Sequence, residues 1–180
     1  IRTIYEVKNT TTLNQKAGSL WGKAMMGLEY FMFKTGPLTM PPSQLGAFAK
    51  SDNSQQSANI EWHVQPLSLD KFGEPLQFNA ITPSVCNVRP SSRGEVVINS
   101  PEISDAPKIR PNYLSTTEDQ KIAVKGLRFT RQIMSAEAIR RFEPFELKPG
   151  KQIESDEDLL DAARDLGTTI FHPVGTCKMG

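Results

Sequence analysis

The 180 residues predict an α+β fold, a mostly antiparallel β-sheet covered on one side by α-helices. Three observations point there. Strand-like alternation concentrates in the middle of the chain, a tight turn at Ser91-Ser92-Arg93-Gly94 joins neighbouring strands without a crossover, and capped helical periodicity gathers late. At 20.0 kDa the chain has the size of one domain, read as residues 1–180. Its 38% hydrophobic and 23% charged residues are ordinary globular material, which excludes intrinsic disorder.

Ile1 to Val7, rich in β-branched and aromatic residues, predicts a strand. From Leu13, the residues Ala17, Leu20, Ala24, Leu28 and Phe31 recur every three or four positions until Gly36-Pro37. This predicts one amphipathic helix, with Met25, Met26 and Met32 as pliable core filler. Lys50 to Asn59 is polar and reads as a loop. Ile60 to Gln65 alternates, so Ile60, Trp62 and Val64 share one face of a half-buried strand and Glu61, His63 and Gln65 the other. Extended chain over Leu76–Val88 and a strand over Glu95–Asn99 complete an antiparallel meander.

Pro101, Pro107 and Pro111 hold the following segment at a sheet edge or in a connector. Ser115, with Glu118 three residues on, is a capping box opening a helix whose face is Ile122, Gly126, Phe129 and Ile133. Ser135–Phe142 extends the helical layer. Ser155 caps a further helix with an acidic first turn, ended by Gly167, and Thr168–Phe171 predicts a short strand. The local positive excess over Lys121–Lys148 and the negative excess over Lys151–Asp165 read as solvated helix faces.

Lys and Arg total 21 against 20 Asp and Glu, for a net charge of +1, so the basic excess of a nucleic-acid binder is missing. No apolar run approaches the roughly 18 residues of a membrane span. Cys86 and Cys177 are too few for a disulfide scaffold and lean toward a reducing compartment. The expected location is cytoplasmic, with membrane association of a parent enzyme left open. The chain opens on Ile1 without an initiator Met and stops at Gly180, as a fragment would.

Chemistry concentrates at the end. Pro173 pushes His172 into extended geometry just before a glycine-bearing loop, and an imidazole with an ordinary pKa near 6.5 exchanges protons at neutral pH. The string His172-Pro173-Val174-Gly175-Thr176-Cys177-Lys178-Met179-Gly180 resembles the segment of the glucose-methanol-choline (GMC) flavoprotein oxidoreductases that carries their active-site histidine. A second stretch, Val88-Arg89-Pro90-Ser91-Ser92-Arg93-Gly94-Glu95-Val96 through Pro111-Asn112-Tyr113-Leu114 and on to Asp119, is similar to that family's passage through its substrate-binding domain. The texture is nearest the choline dehydrogenase and alcohol dehydrogenase-like branch.

The resemblance implies a truncated substrate-binding domain of the C-terminal type from an FAD-dependent oxidoreductase acting on a small alcohol. His172 would be the base and His63 a substrate contact. It implies FAD in the full-length parent. The chain has no G-x-G-x-x-G motif, so FAD is not expected on this piece, which should not turn over without the missing flavin domain. The resemblance also places a second catalytic His or Asn beyond Gly180. Two other readings compete with it. One is a zinc site from His63, Cys86, His172 and Cys177, which lacks the paired short spacings of structural zinc. The other is a stand-alone small-molecule binding module without flavin chemistry.

Overall fold

The computed structural model describes residues 1–70 and 74–171. In chain order its elements are β1 (Ile4–Glu6), α1 (Leu13–Gly18), α2 (Leu20–Phe33), a 3-10 turn (Pro37–Thr39), β2 (Leu45–Ala49), β3 (Ile60–Gln65), β4 (Ala80–Asn87), β5 (Glu95–Val97), β6 (Lys108–Arg110), α3 (Thr117–Met134), α4 (Glu137–Arg140), β7 (Phe145–Lys148) and α5 (Asp156–Leu166). Five strands form one antiparallel sheet in the order β2-β3-β4-β1-β7. β5 and β6 make a separate ribbon.

Alternation decides what the sheet buries. Ile60 and Trp62 of β3 and Val85 of β4 lie on one face and pack beneath Ile122, Phe129 and Ile133 of α3. The Trp62 ring meets Phe129 edge to face at 5.0 Å, and its Nε1 donates to Thr130 Oγ1 at 2.8 Å. Thr130 Oγ1 in turn donates to the Gly126 carbonyl, so no polar atom is stranded in this layer. Gly126 permits the close approach: a Cβ there would stand 3.1 Å from Val85 Cγ2. α5 then covers the outer side of α3 through Leu159 and Ala163 against Ala123, Val124 and Leu127. The late helices α3 and α5 thus lie over one side of the sheet, as expected from their position in the chain.

The N-terminus of α3 is fixed by the loop before β5. Asp119 accepts from the main-chain N–H groups of Ser91 at 2.9 Å and Ser92 at 2.8 Å, and from Asn87 Nδ2 at 3.1 Å. Burial alone would favour its neutral acid, but the hydrogen bonds from Ser92 and Ser91 override that and hold the carboxyl below its ordinary pKa. The cap is Thr116, whose Oγ1 accepts from the Asp119 N–H, one residue later than the expected Ser115–Glu118 box. The N–H groups of both Ser115 and Thr116 donate to Ser92 Oγ, at 3.0 and 3.3 Å, which docks the start of the helix on the same loop.

Other expectations are corrected. The single helix from Leu13 is two, parted at Ser19, whose extended backbone ends α1 and whose hydroxyl accepts from Gly22 N–H to start α2. Nor does α2 bury a stripe. Leu20 is 86% and Phe31 74% exposed, Met25 and Met32 lie outside the core, and the helix contacts α1 and the 3-10 turn. Its periodic residues are flanked by Trp21, Met26 and Phe33, so it is apolar all round and has no single core-facing side. Thr168–Phe171 forms no strand. The expected meander holds for β3 and β4, which pair antiparallel, but β5 departs to pair with β6.

The charged segments are partly paired with each other. Arg128 Nη2 reaches Asp156 Oδ1 at 2.6 Å and the Glu154 carbonyl at 2.8 Å. Arg131 binds buried Glu146 through both oxygens and donates to the Gly150 and Ile153 carbonyls, tying α3 to β7 and to the loop before α5.

Two outcomes follow for stability. Leu159 is fully buried, and Leu159→Ala should cost about 2–5 kcal/mol, read from chemical denaturation. The depressed Asp119 carboxyl contributes stability that is complete above its unfolded value near 3.9 and is lost as pH falls through the lower folded value. The stability gap between wild type and Asp119→Asn should therefore be widest at neutral pH and shrink below about pH 4; a gap constant from pH 7 to pH 2 would contradict the assignment.

Candidate functional site

The side of the sheet away from α3 is divided in two. At one end α1 and the loop after β3 seal it. Asn14, on α1, donates to the carbonyls of Ser68 and Leu76 and accepts from Ser68 N–H, while the hydroxyls of Ser68 and Thr82 lie 2.7 Å apart. Ala80 and Thr82 are fully buried there. At the other end the sheet surface stays open, and it carries Glu61, His63, Ser84 and Cys86.

Strand pairing sets this patch. His63 lies between Gly46 of β2 and Ser84 of β4, two small residues that leave its ring 33% exposed. Glu61 lies between Phe48 and Cys86. The Glu61 and His63 side chains, two residues apart on one strand, point the same way, and Nε2 of His63 stands 3.2 Å from Oε1 of Glu61. One donor atom from each of Glu61, His63 and Cys86 lies within 4.8 Å of the other two. Burial, and after it the Glu61 carboxylate, pushes the Cys86 thiol above its ordinary pKa, so the sulfur is protonated at neutral pH.

This arrangement can hydrogen-bond a polar ligand from a half-dry surface. His63 is where alternation put it, on the face opposite Trp62. His172, the expected base, and Cys177 lie outside the described residues. Of the four His and Cys residues that could have formed a zinc site, His63 and Cys86 share one patch, joined there by Glu61. The alternation that placed Glu61 beside His63 was visible in the sequence. The cross-strand register that adds Cys86 was not. Two shallow concavities lie elsewhere: one of about 540 Å³ lined by Arg93, Glu95 and Arg110 at the β5–β6 ribbon, the other of about 500 Å³ beside α2. Among the described residues no helix is long and apolar enough to cross a membrane.

Comparison with known proteins identifies the setting. The C-terminal GMC oxidoreductase family profile matches residues 90–180. The chain is 33% identical over 180 residues to an alcohol dehydrogenase [acceptor] of Pseudomonas putida, a match covering 99% of this chain and 33% of that protein. It is also 33% identical over 156 residues to the oxygen-dependent choline dehydrogenase of Staphylococcus aureus (strain JH9), covering 86% of this chain and 27% of the relative. The chain thus spans about a third of the length of these relatives. Among solved structures, formate oxidase of Aspergillus oryzae RIB40, in a variant studied for modification of its FAD, superposes with a TM-score of 0.85 at 20% identity, over 99% of this chain and 36% of that one. Pyridoxine 4-oxidase from Mesorbium loti does so with a TM-score of 0.66 at 28% identity, over 77% and 28%. The chain belongs to the GMC oxidoreductase family, whose members depend on FAD.

Proposed function

We propose that the chain is the substrate-binding part of an enzyme that oxidises the CH–OH group of a small alcohol, its dinucleotide-binding Rossmann domain being carried by the rest of the polypeptide. The observation that carries this reading is the family match over residues 90–180, a span that includes His172 and the residues after it. The two curated relatives, an alcohol dehydrogenase and a choline dehydrogenase, favour an alcohol over other donors.

The described residues fit one wall of a flavin site. The open sheet surface is half-buried and bears an imidazole between small neighbours, features suited to a substrate held against it. They do not supply a phosphate cradle, since the chain has no G-x-G-x-x-G motif. When bound, the flavin supplies the two-electron acceptor: the carbinol C–H bond breaks with its electron pair leaving as hydride, the hydroxyl proton goes to a base, and C=O forms.

The chain's own part is to handle that proton and orient the alcohol. A neutral imidazole at His172 accepts the hydroxyl proton, and the charge this builds on oxygen eases loss of the hydride. His63 positions the hydroxyl. The Glu61 oxygen beside Nε2 favours the ring proton on that nitrogen, which leaves Nδ1 as the acceptor.

In the full-length enzyme, His172→Ala should slow flavin reduction at saturating alcohol by roughly 10²- to 10⁴-fold, with flavin still bound, and should abolish the fall in rate at acid pH. Stopped-flow reduction within about threefold of wild type across pH would remove His172 from the mechanism. His63→Gln, losing one neutral hydrogen bond of about 0.5–1.5 kcal/mol, should raise KM by about three- to tenfold. Unchanged KM and kcat would leave His63 a structural residue.

A further inference from the structure

We propose that Glu61, His63 and Cys86 form a binding site for one zinc-class divalent cation on the open surface of β3 and β4. The three side chains offer a carboxylate oxygen, an imidazole nitrogen and a sulfur, a mixed donor set that suits a borderline-soft ion and not Mg²⁺ or Ca²⁺, which want oxygen alone. Tetrahedral zinc with bonds of about 2.0 Å to N and O and 2.3 Å to S separates its ligands by about 3.3–3.6 Å. The Glu61–His63 pair already stands at 3.2 Å, and all three donors fall within 4.8 Å, so closure needs little more than side-chain rotation at the sulfur.

The backbone beneath is fixed. Glu61 faces Cys86 directly across the β3–β4 ladder, and His63 sits one pleat along, so two neighbouring strands hold the donors in register. All three are partly exposed, which gives an ion a path in and leaves the fourth position to water. The metal replaces the thiol proton, since a coordinating sulfur binds as thiolate whatever its pKa in the free chain. The short ligand spacings that mark structural zinc are missing because these ligands converge across a sheet. An ion on Nε2 also forces the remaining ring proton onto Nδ1 and turns the proposed acceptor for alcohol into a donor. That consequence rests on the proposed function, whereas binding of the ion does not.

The test uses the reduced 180-residue chain titrated with Co²⁺, followed by competition with Zn²⁺, circular dichroism confirming that each variant is folded. One equivalent of Co²⁺ should give a thiolate charge-transfer band and tetrahedral d–d absorption, both displaced by Zn²⁺ and unaffected by excess Mg²⁺. Cys86→Ser should lose the charge-transfer band, and Glu61→Gln and His63→Gln should each weaken binding at least tenfold. No band, a band that persists in Cys86→Ser and so belongs to Cys177, or affinity unchanged by both Glu61→Gln and His63→Gln would each overturn the site. None of these outcomes bears on alcohol oxidation, which is read from flavin reduction in the full-length enzyme.

Discussion

The seating of Trp62 under α3 is the constraint on which the rest depends. Side chains alternate along a strand, so once Trp62 and Ile60 are committed to the buried face, Glu61 and His63 have nowhere to go but the other one. A slip of one residue would drive a carboxylate and an imidazole under the helix and expose the indole. Three features oppose it together: the indole N–H has its partner in Thr130, the ring has Phe129 at its edge, and Gly126 keeps the helix close enough for both. The chemistry-bearing face of β3 is therefore specified by packing on its reverse.

A second set of contacts holds α3 at its two ends. Asp119 ties the first turn to the Ser91-Ser92 loop, and Arg131 ties the last turns to β7 and to the carbonyls before α5. Half-buried Arg131 pairs with buried Glu146, and their remaining hydrogen-bonding capacity goes to main-chain groups and to the Tyr5 hydroxyl. That satisfaction is what makes the buried Glu146 carboxylate tolerable, since without Arg131 it would be an unpaired charge. The helix is thus clamped along its length over the sheet.

Much of this was legible in the residues. Period-2 alternation gave β3 with its exposed and buried faces, and the Ser155 cap with its acidic first turn and Gly167 gave α5. The helical face of Ile122, Gly126, Phe129 and Ile133 proved to be the one laid on the sheet. Strands β2, β6 and β7 escaped because they are short and carry weak patterns, one centred on Gly46-Ala47, another beside Pro111, the third between Pro144 and Pro149. Proximity across strands is invisible in a linear string, so nothing in the sequence pairs Cys86 with Glu61. The α2 segment misled because periodicity reports a repeat and not what lies opposite it.

That same segment has a consequence for how the protein can change. α2 and its 3-10 turn pack chiefly on α1 and on each other, and none of their residues belongs to the core around Trp62. Substitutions at their exposed positions bear less on that core than substitutions at Gly126 or Thr130 do. Leu20, Trp21, Phe31 and Phe33 stand largely exposed there, so the segment's tolerance to substitution is set by what it meets in solution and not by the core beneath α3.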